Sequence, residues 1–160
     1  MTRTRRFFAL AFSVLSVLWV FVIFSNSLET VDESNEKSRD VVEIIIEKVF
    51  REDIETISKK DIGIFHNFIR KAAHFTEFAV LSLLVFLALS AWNLKEYLTR
   101  FVPVLCAFTV ACADEIIQYF VPGRACRFTD VLIDTGGALT LIIIVLVLKR
   151  LFSKFKYMRL

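Results

Sequence analysis

Four long apolar runs organise this chain, and one long polar stretch separates the first from the second. Residues 7–24 are apolar throughout, with Trp19 near the end of the run, and 72–94, 101–121 and 128–148 follow. A helix needs about 20 residues to cross the hydrocarbon core of a bilayer, and each run is close to that length. The pattern predicts an all-α membrane protein, with four transmembrane helices at about 7–27, 72–94, 101–121 and 128–148. A cleaved signal peptide competes for the first run, because Ser25-Asn26-Ser27 offers small residues. The run is longer than the roughly 7–15 residues of a signal core, which favours an uncleaved anchor.

Residues 28–70 form the one sizeable polar region. Glu29, Thr30, Asp32, Glu33, Ser34, Asn35 and Glu36 read as a loop opening into a helix. From Val41 the pattern becomes amphipathic. Val42, Ile45, Ile46, Val49, Phe50, Ile54 and Ile57 recur near helical spacing, while Glu43, Glu47, Lys48, Arg51, Glu52 and Glu55 fill the other face. This predicts one extracytoplasmic amphipathic helix over 41–57, its stripe buried against the membrane surface or the top of the helix bundle. Asp61-Ile62-Gly63 is expected to break that helix before 66–71 leads into the second span. Asn93, Lys95, Glu96 and Arg100 predict a short turn. Pro103 is expected in the first turn of the third span, where proline is tolerated. Pro122-Gly123 should stop that span, and 124–127 should form a tight basic loop.

Composition sharpens this picture. The chain has 160 residues, enough for a single domain over 1–160, and its 56% hydrophobic content exceeds that of an ordinary soluble domain. A net charge of +3, without aromatic–basic interleaving, gives no argument for nucleic acid. The basic residues cluster at the ends: Arg3, Arg5 and Arg6, then Lys149, Arg150, Lys154, Lys156 and Arg159. Such clusters mark the cytoplasmic side, so both termini should be cytoplasmic, with 28–71 and the Arg124 loop outside. Cys106, Cys112 and Cys126 are an odd count without paired spacing, which argues against a disulfide framework or a zinc site.

The polar residues inside the runs carry the candidate chemistry. In-order spanning brings the start of the second run, the end of the third and the start of the fourth to one membrane face. At about 1.5 Å per residue, Glu77, Asp114 and Asp134 each lie roughly 10 Å in from that face. Ionisable groups at such depth are costly and mark functional sites by default. Arg70, His74 and Glu77 share one helix face, with Lys71 beside them; the alternative is a snorkelling pair of bases over an internal His–Glu pair. Asp114, Glu115 and Gln118 suit acid–base work or a hard cation, unless ion pairing with Lys71, Arg124 or Arg127 accounts for the acids. Asp130 and Asp134 share a face, and Asp130 could equally be a helix-start residue favoured by the dipole. Gly136-Gly137-Ala138 permits close helix approach. Lys71, Gln118, Arg124 and Arg127 are the candidate ligand-binding groups, and the three bases among them suit phosphate or pyrophosphate. A divalent cation is a possible cofactor, held by the acids.

The blocks Arg70-Lys71-Ala72-Ala73-His74-Phe75-Thr76-Glu77-Phe78, Asp114-Glu115-Ile116-Ile117-Gln118-Tyr119-Phe120-Val121-Pro122-Gly123-Arg124 and Phe128-Thr129-Asp130-Val131-Leu132-Ile133-Asp134-Thr135-Gly136-Gly137-Ala138 resemble the VanZ family. The Ile23-Phe24-Ser25-Asn26-Ser27 junction is similar to that family's Phe-Ser-Ser-Gln pattern, departing from it at Asn26-Ser27. Ile117 stands where many members place a His before the Gln. The resemblance implies a small bacterial integral membrane protein, of a family named for a member linked to teicoplanin resistance. It implies signature positions at Lys71, His74, Glu77, Asp114, Glu115, Gln118, Arg124 and Asp130, and supplies no reaction. The function expected is an outward-facing polar pocket that binds or modifies a cell-envelope lipid or lipid-linked wall precursor. The alternatives are a non-catalytic protein that binds a lipoglycopeptide or limits its membrane access, or an assembly partner whose charges only hold helices together.

Overall fold

A computed structural model describes residues 1–50 and 58–157. The described residues form helix α1 (Arg3–Ser27), helix α2 (Val31–Ile45) continued by a π-helical turn (Ile46–Phe50), and helices α3 (Lys59–Ala91), α4 (Glu96–Tyr119) and α5 (Phe128–Tyr157), with no strand among them. Four of these helices, α1, α3, α4 and α5, are long and apolar enough to cross a membrane.

Local chemistry sets each start. Thr2 caps α1 by accepting from the Arg5 backbone N–H at 3.3 Å. Thr30 and Glu33 close a reciprocal capping box at the start of α2, with the Thr30 N–H donating to Glu33 Oε2 at 2.7 Å. The helix therefore begins at Val31, early in the stretch read as a loop opening into a helix. Val42 and Ile46 are fully buried, and α2 packs on α3. The predicted amphipathic helix thus packs on the bundle through α2 and is helical as far as Phe50, and 51–57 lies outside the described residues.

Two expectations need correction. Asp61-Ile62-Gly63 does not break a helix but lies in the opening of α3, where the Ser58 hydroxyl accepts from the Asp61 N–H at 3.2 Å. Glycine inside a helix costs only about 1 kcal/mol relative to alanine, and a capped helix that gains 33 residues of continuity absorbs that. Pro103 is not in a first turn, because α4 already starts at Glu96. It is buried in the helix interior, where it removes the N–H that would reach back to Thr99.

At one end of the bundle, α3 closes on Asn93, which adopts φ 61°. The Leu94 N–H reaches Leu89 O and the Asn93 N–H reaches Ser90 O, a Schellman-type stop that asparagine can supply. Arg5 clasps this turn, donating to Ala91 O, Ser90 O and Asn93 Oδ1 at 2.9–3.0 Å. The amino end of α1 and the α3–α4 turn are therefore neighbours, as four in-order spans require.

Helix α3 is the hub, packing against α1, α2, α4 and α5. Ile23, Phe78, Leu81, Ala107, Ala111, Val131 and Ala138 form the buried core. Its closest approach is α3 to α5: a Cβ at Gly137 would lie 2.9 Å from the Phe75 carbonyl carbon and closer still to its oxygen, so only glycine fits. Phe7, Leu10, Val14, Val17, Leu18 and Phe21 remain exposed on α1, the outward apolar face of a helix whose solvent is lipid.

Candidate functional site

The polar residues gather at the end opposite the Arg5 clasp, where α1 ends, α3 and α5 enter the bundle and α4 leaves it. Asp114 lies at the centre with no solvent exposure. Ser27, the last residue of α1, donates its hydroxyl to Asp114 Oδ1, and Gln118, one turn along α4, donates to Oδ2 at 2.8 Å. His74 Nδ1 lies 3.9 Å from Asp114 Oδ2 and 4.0 Å from Glu77 Oε2. Glu77 is held from α1: Asn26 Nδ2 donates to Oε1 at 2.6 Å, and the Trp19 indole N–H donates to the Glu77 backbone carbonyl at 2.9 Å. Asp134, 1% exposed, completes the group, since one ligand atom from each of His74, Asp114 and Asp134 falls within 4.8 Å of the others.

A rim of charge surrounds this centre. Lys71 forms an ion pair with Asp130 across α3 and α5, so Asp130 has a partner beyond the helix dipole. Glu115 turns to the 120–127 loop, where Oε2 accepts the Arg127 backbone N–H at 2.6 Å. Gly123, at φ +80°, takes the left-handed backbone conformation that turns this loop back over the site. Arg124 reaches inward from it and donates from Nη2 to Asn26 O at 3.3 Å. Burial, then the neighbouring Arg70 charge, pulls the Arg124 pKa below its ordinary value. A guanidinium nevertheless stays ionised near neutrality. A cleft opens at this end, lined by Arg70, Lys71, His74, Glu115, Arg124 and Asp134, with Gln118, Arg127 and Asp130 also on its wall.

The structure therefore gathers all ten candidate residues at one end but assigns them unequal surroundings. Buried Asp114, Gln118 and Asp134 with half-buried His74 and Glu77 form the centre; Lys71, Arg124, Arg127, Asp130 and the buried Glu115 form the rim. The alternative in which a base pairs with each acid holds at Asp130 alone among the described residues. Among the described residues, Lys71–Asp130 is the one lysine or arginine ion pair to a site acid; Asp114 accepts from a hydroxyl and an amide on its two oxygens, and Glu115 accepts a backbone N–H on Oε2. A guanidinium on a loop reaches the rim more readily than the depth of Asp114. Sequence reasoning gave little weight to Asn26 and Ser27, which hold Glu77 and Asp114. The available signal was two polar side chains ending an otherwise apolar run at the same level as the other clusters. Six buried polar atoms lack a hydrogen-bond partner among the described groups: His74 Nδ1, Glu115 Oε1, Arg124 Nε and Nη1, Asp134 Oδ1 and Thr135 Oγ1. Five belong to the centre or rim and the sixth to the residue after Asp134, where native interiors rarely leave such atoms unpaired.

Four membrane-capable helices enclosing a polar cluster at one end define a multi-pass α-helical membrane protein. Residues 12–149, most of the chain, match the VanZ/LLP1 family, and the chain belongs to that family. Membership carries a link to glycopeptide resistance in general. No curated protein and no solved structure matched the chain.

Proposed function

We propose that this protein sits in the bacterial cell membrane with both termini cytoplasmic, and that its polar end opens outward to bind a phosphate-bearing envelope lipid or lipid-linked wall precursor. The observation that carries the reading is Arg124. Arg124 lines the cleft, is half-buried, spends one nitrogen on Asn26 O, and keeps Nε and Nη1 buried without a partner. Arg70 and Lys71 line the same cleft. Guanidinium donors beside an ammonium suit a phosphate group, and the exposed apolar faces of the spans would receive its lipid chains. Orientation rests on the arginine and lysine clusters at the two termini.

Chemistry on the bound lipid would fall to His74, Glu77, Asp114 and Asp134, the groups under the bases. Lipid extracts from a strain lacking the protein test the reading. A phosphate-bearing envelope species should change in amount, and the wild-type gene should restore it while Arg124→Gln should not. Unchanged lipids together with altered lipoglycopeptide binding to cells would favour the non-catalytic alternative, direct contact with teicoplanin-type drugs.

A further inference from the structure

We propose that His74, Asp114 and Asp134 form a binding site for one divalent transition-metal ion of the zinc or manganese(II) class. The three side chains come from α3, α4 and α5, and their ligand atoms lie within 4.8 Å of one another. Ions of this class hold nitrogen and oxygen ligands at about 2.0–2.2 Å, which places ligand pairs about 3–4 Å apart. The 3.9 Å between His74 Nδ1 and Asp114 Oδ2 already lies in that range, and small side-chain rotations would close the rest.

Charge gives an independent reason. Asp114 and Asp134 are 0% and 1% exposed, and no lysine or arginine among the described residues pairs with either. Lys71 is committed to Asp130, and Arg124 donates to a backbone carbonyl. Asp134 Oδ1 and His74 Nδ1 are buried without a hydrogen-bond partner, in the same small volume. Buried carboxylates persist when paired or bound to a metal, and a cation would satisfy both orphaned atoms together. Donor chemistry selects the class. One imidazole with two carboxylates suits borderline metals, whereas magnesium favours oxygen ligands and keeps its waters. The outer support is also present: Ser27 and Gln118 donate to the two oxygens of Asp114 and fix its orientation, leaving lone pairs for an ion. Three protein ligands leave an open position, and His74 and Asp134 lie on the cleft wall that Arg124 shares. The site stands on its own whether or not a phosphate lipid occupies that cleft.

The test uses the full chain, purified in detergent, stripped with chelator and titrated separately with Zn2+, Mn2+ and Mg2+ by calorimetry with elemental analysis. One Zn2+ or Mn2+ per chain should bind at least tenfold more tightly than Mg2+. Asp134→Asn and His74→Gln should weaken binding at least tenfold, and Glu96→Gln, an exposed acid at the far end of the bundle, should not. Co2+ added to the stripped wild type should give the visible absorption of a low-coordinate nitrogen–oxygen site, a readout that needs no variant to fold. The proposal is overturned if no ion is retained, if Mg2+ binds as tightly as Zn2+ or Mn2+, if folded Asp134→Asn binds like wild type, or if Co2+ keeps the spectrum of its hydrated ion.

Discussion

Asp114 receives a hydroxyl from one helix and an amide from its own, so both of its oxygens are held by neutral donors. Glu77 is held by one such donor, the Asn26 amide on Oε1. If these groups work on a ligand, Glu77→Gln and Asp134→Asn should abolish protection in a teicoplanin susceptibility assay while detergent melting stays near wild type, because each swap keeps shape and hydrogen-bonding capacity. If the acids only hold helices together, the same swaps should lower melting in step with lost protection, by about 1–3 kcal/mol, the cost of leaving a buried polar partner unsatisfied. Ser27→Ala gives a complementary reading. Removing the hydroxyl from Asp114 should cost about 1.5–3 kcal/mol, the range for a hydrogen bond to a charged group, measured as a lower unfolding midpoint. The depth of Glu77, Asp114 and Asp134 was legible in the sequence, because helical rise fixes depth once the spans are counted. Their partners were not. Rise says nothing about rotation across a helix interface, so Ser27 and Asn26 could not be matched to Asp114 and Glu77, and the ion-pairing alternative named bases where neutral donors serve.

Helix α5 packs along α3, and near the site a glycine lets the two backbones come close. Gly137 meets the backbone of Phe75, next to His74, while Gly136 has only the Phe75 ring edge at 4.0 Å. Gly137→Ala should therefore push the two helices apart, destabilise by about 1–3 kcal/mol as overpacking does, and separate His74 from Asp134. Gly136→Ala should be tolerated. Thermal melting of both variants in detergent checks this, and equal melting of the two would remove the close approach as the device that assembles the site. The Gly136-Gly137-Ala138 run announced close packing in the sequence, but not which glycine makes it, since the two point in different directions around α5. The four spans were legible from length and hydrophobicity. Their true starts depended on caps. Thr30 with Glu33 and Ser58 with Asp61 begin α2 and α3 within stretches that polar composition alone reads as loop or break.

At the scale of the whole molecule, the Arg5 clasp and the polar site mark opposite ends of the bundle, so one orientation decides which compartment the site faces. A membrane-impermeant thiol reagent should label Glu47→Cys on intact cells, since Glu47 is exposed on the π-helical turn beyond α2, and should reach Arg3→Cys only after the cells are opened. The reverse pattern would place the cleft in the cytoplasm. The central claim is that the cleft takes a lipid phosphate through Arg124. The direct measurement is equilibrium binding of a polyprenyl phosphate to the protein in nanodiscs of uncharged lipid, with wild type and Arg124→Gln compared and the corresponding polyprenol as control. Saturable binding of the phosphate, weakened at least tenfold by Arg124→Gln and absent for the polyprenol, is the predicted result. Equal binding of phosphate and alcohol, or of wild type and variant, would contradict it.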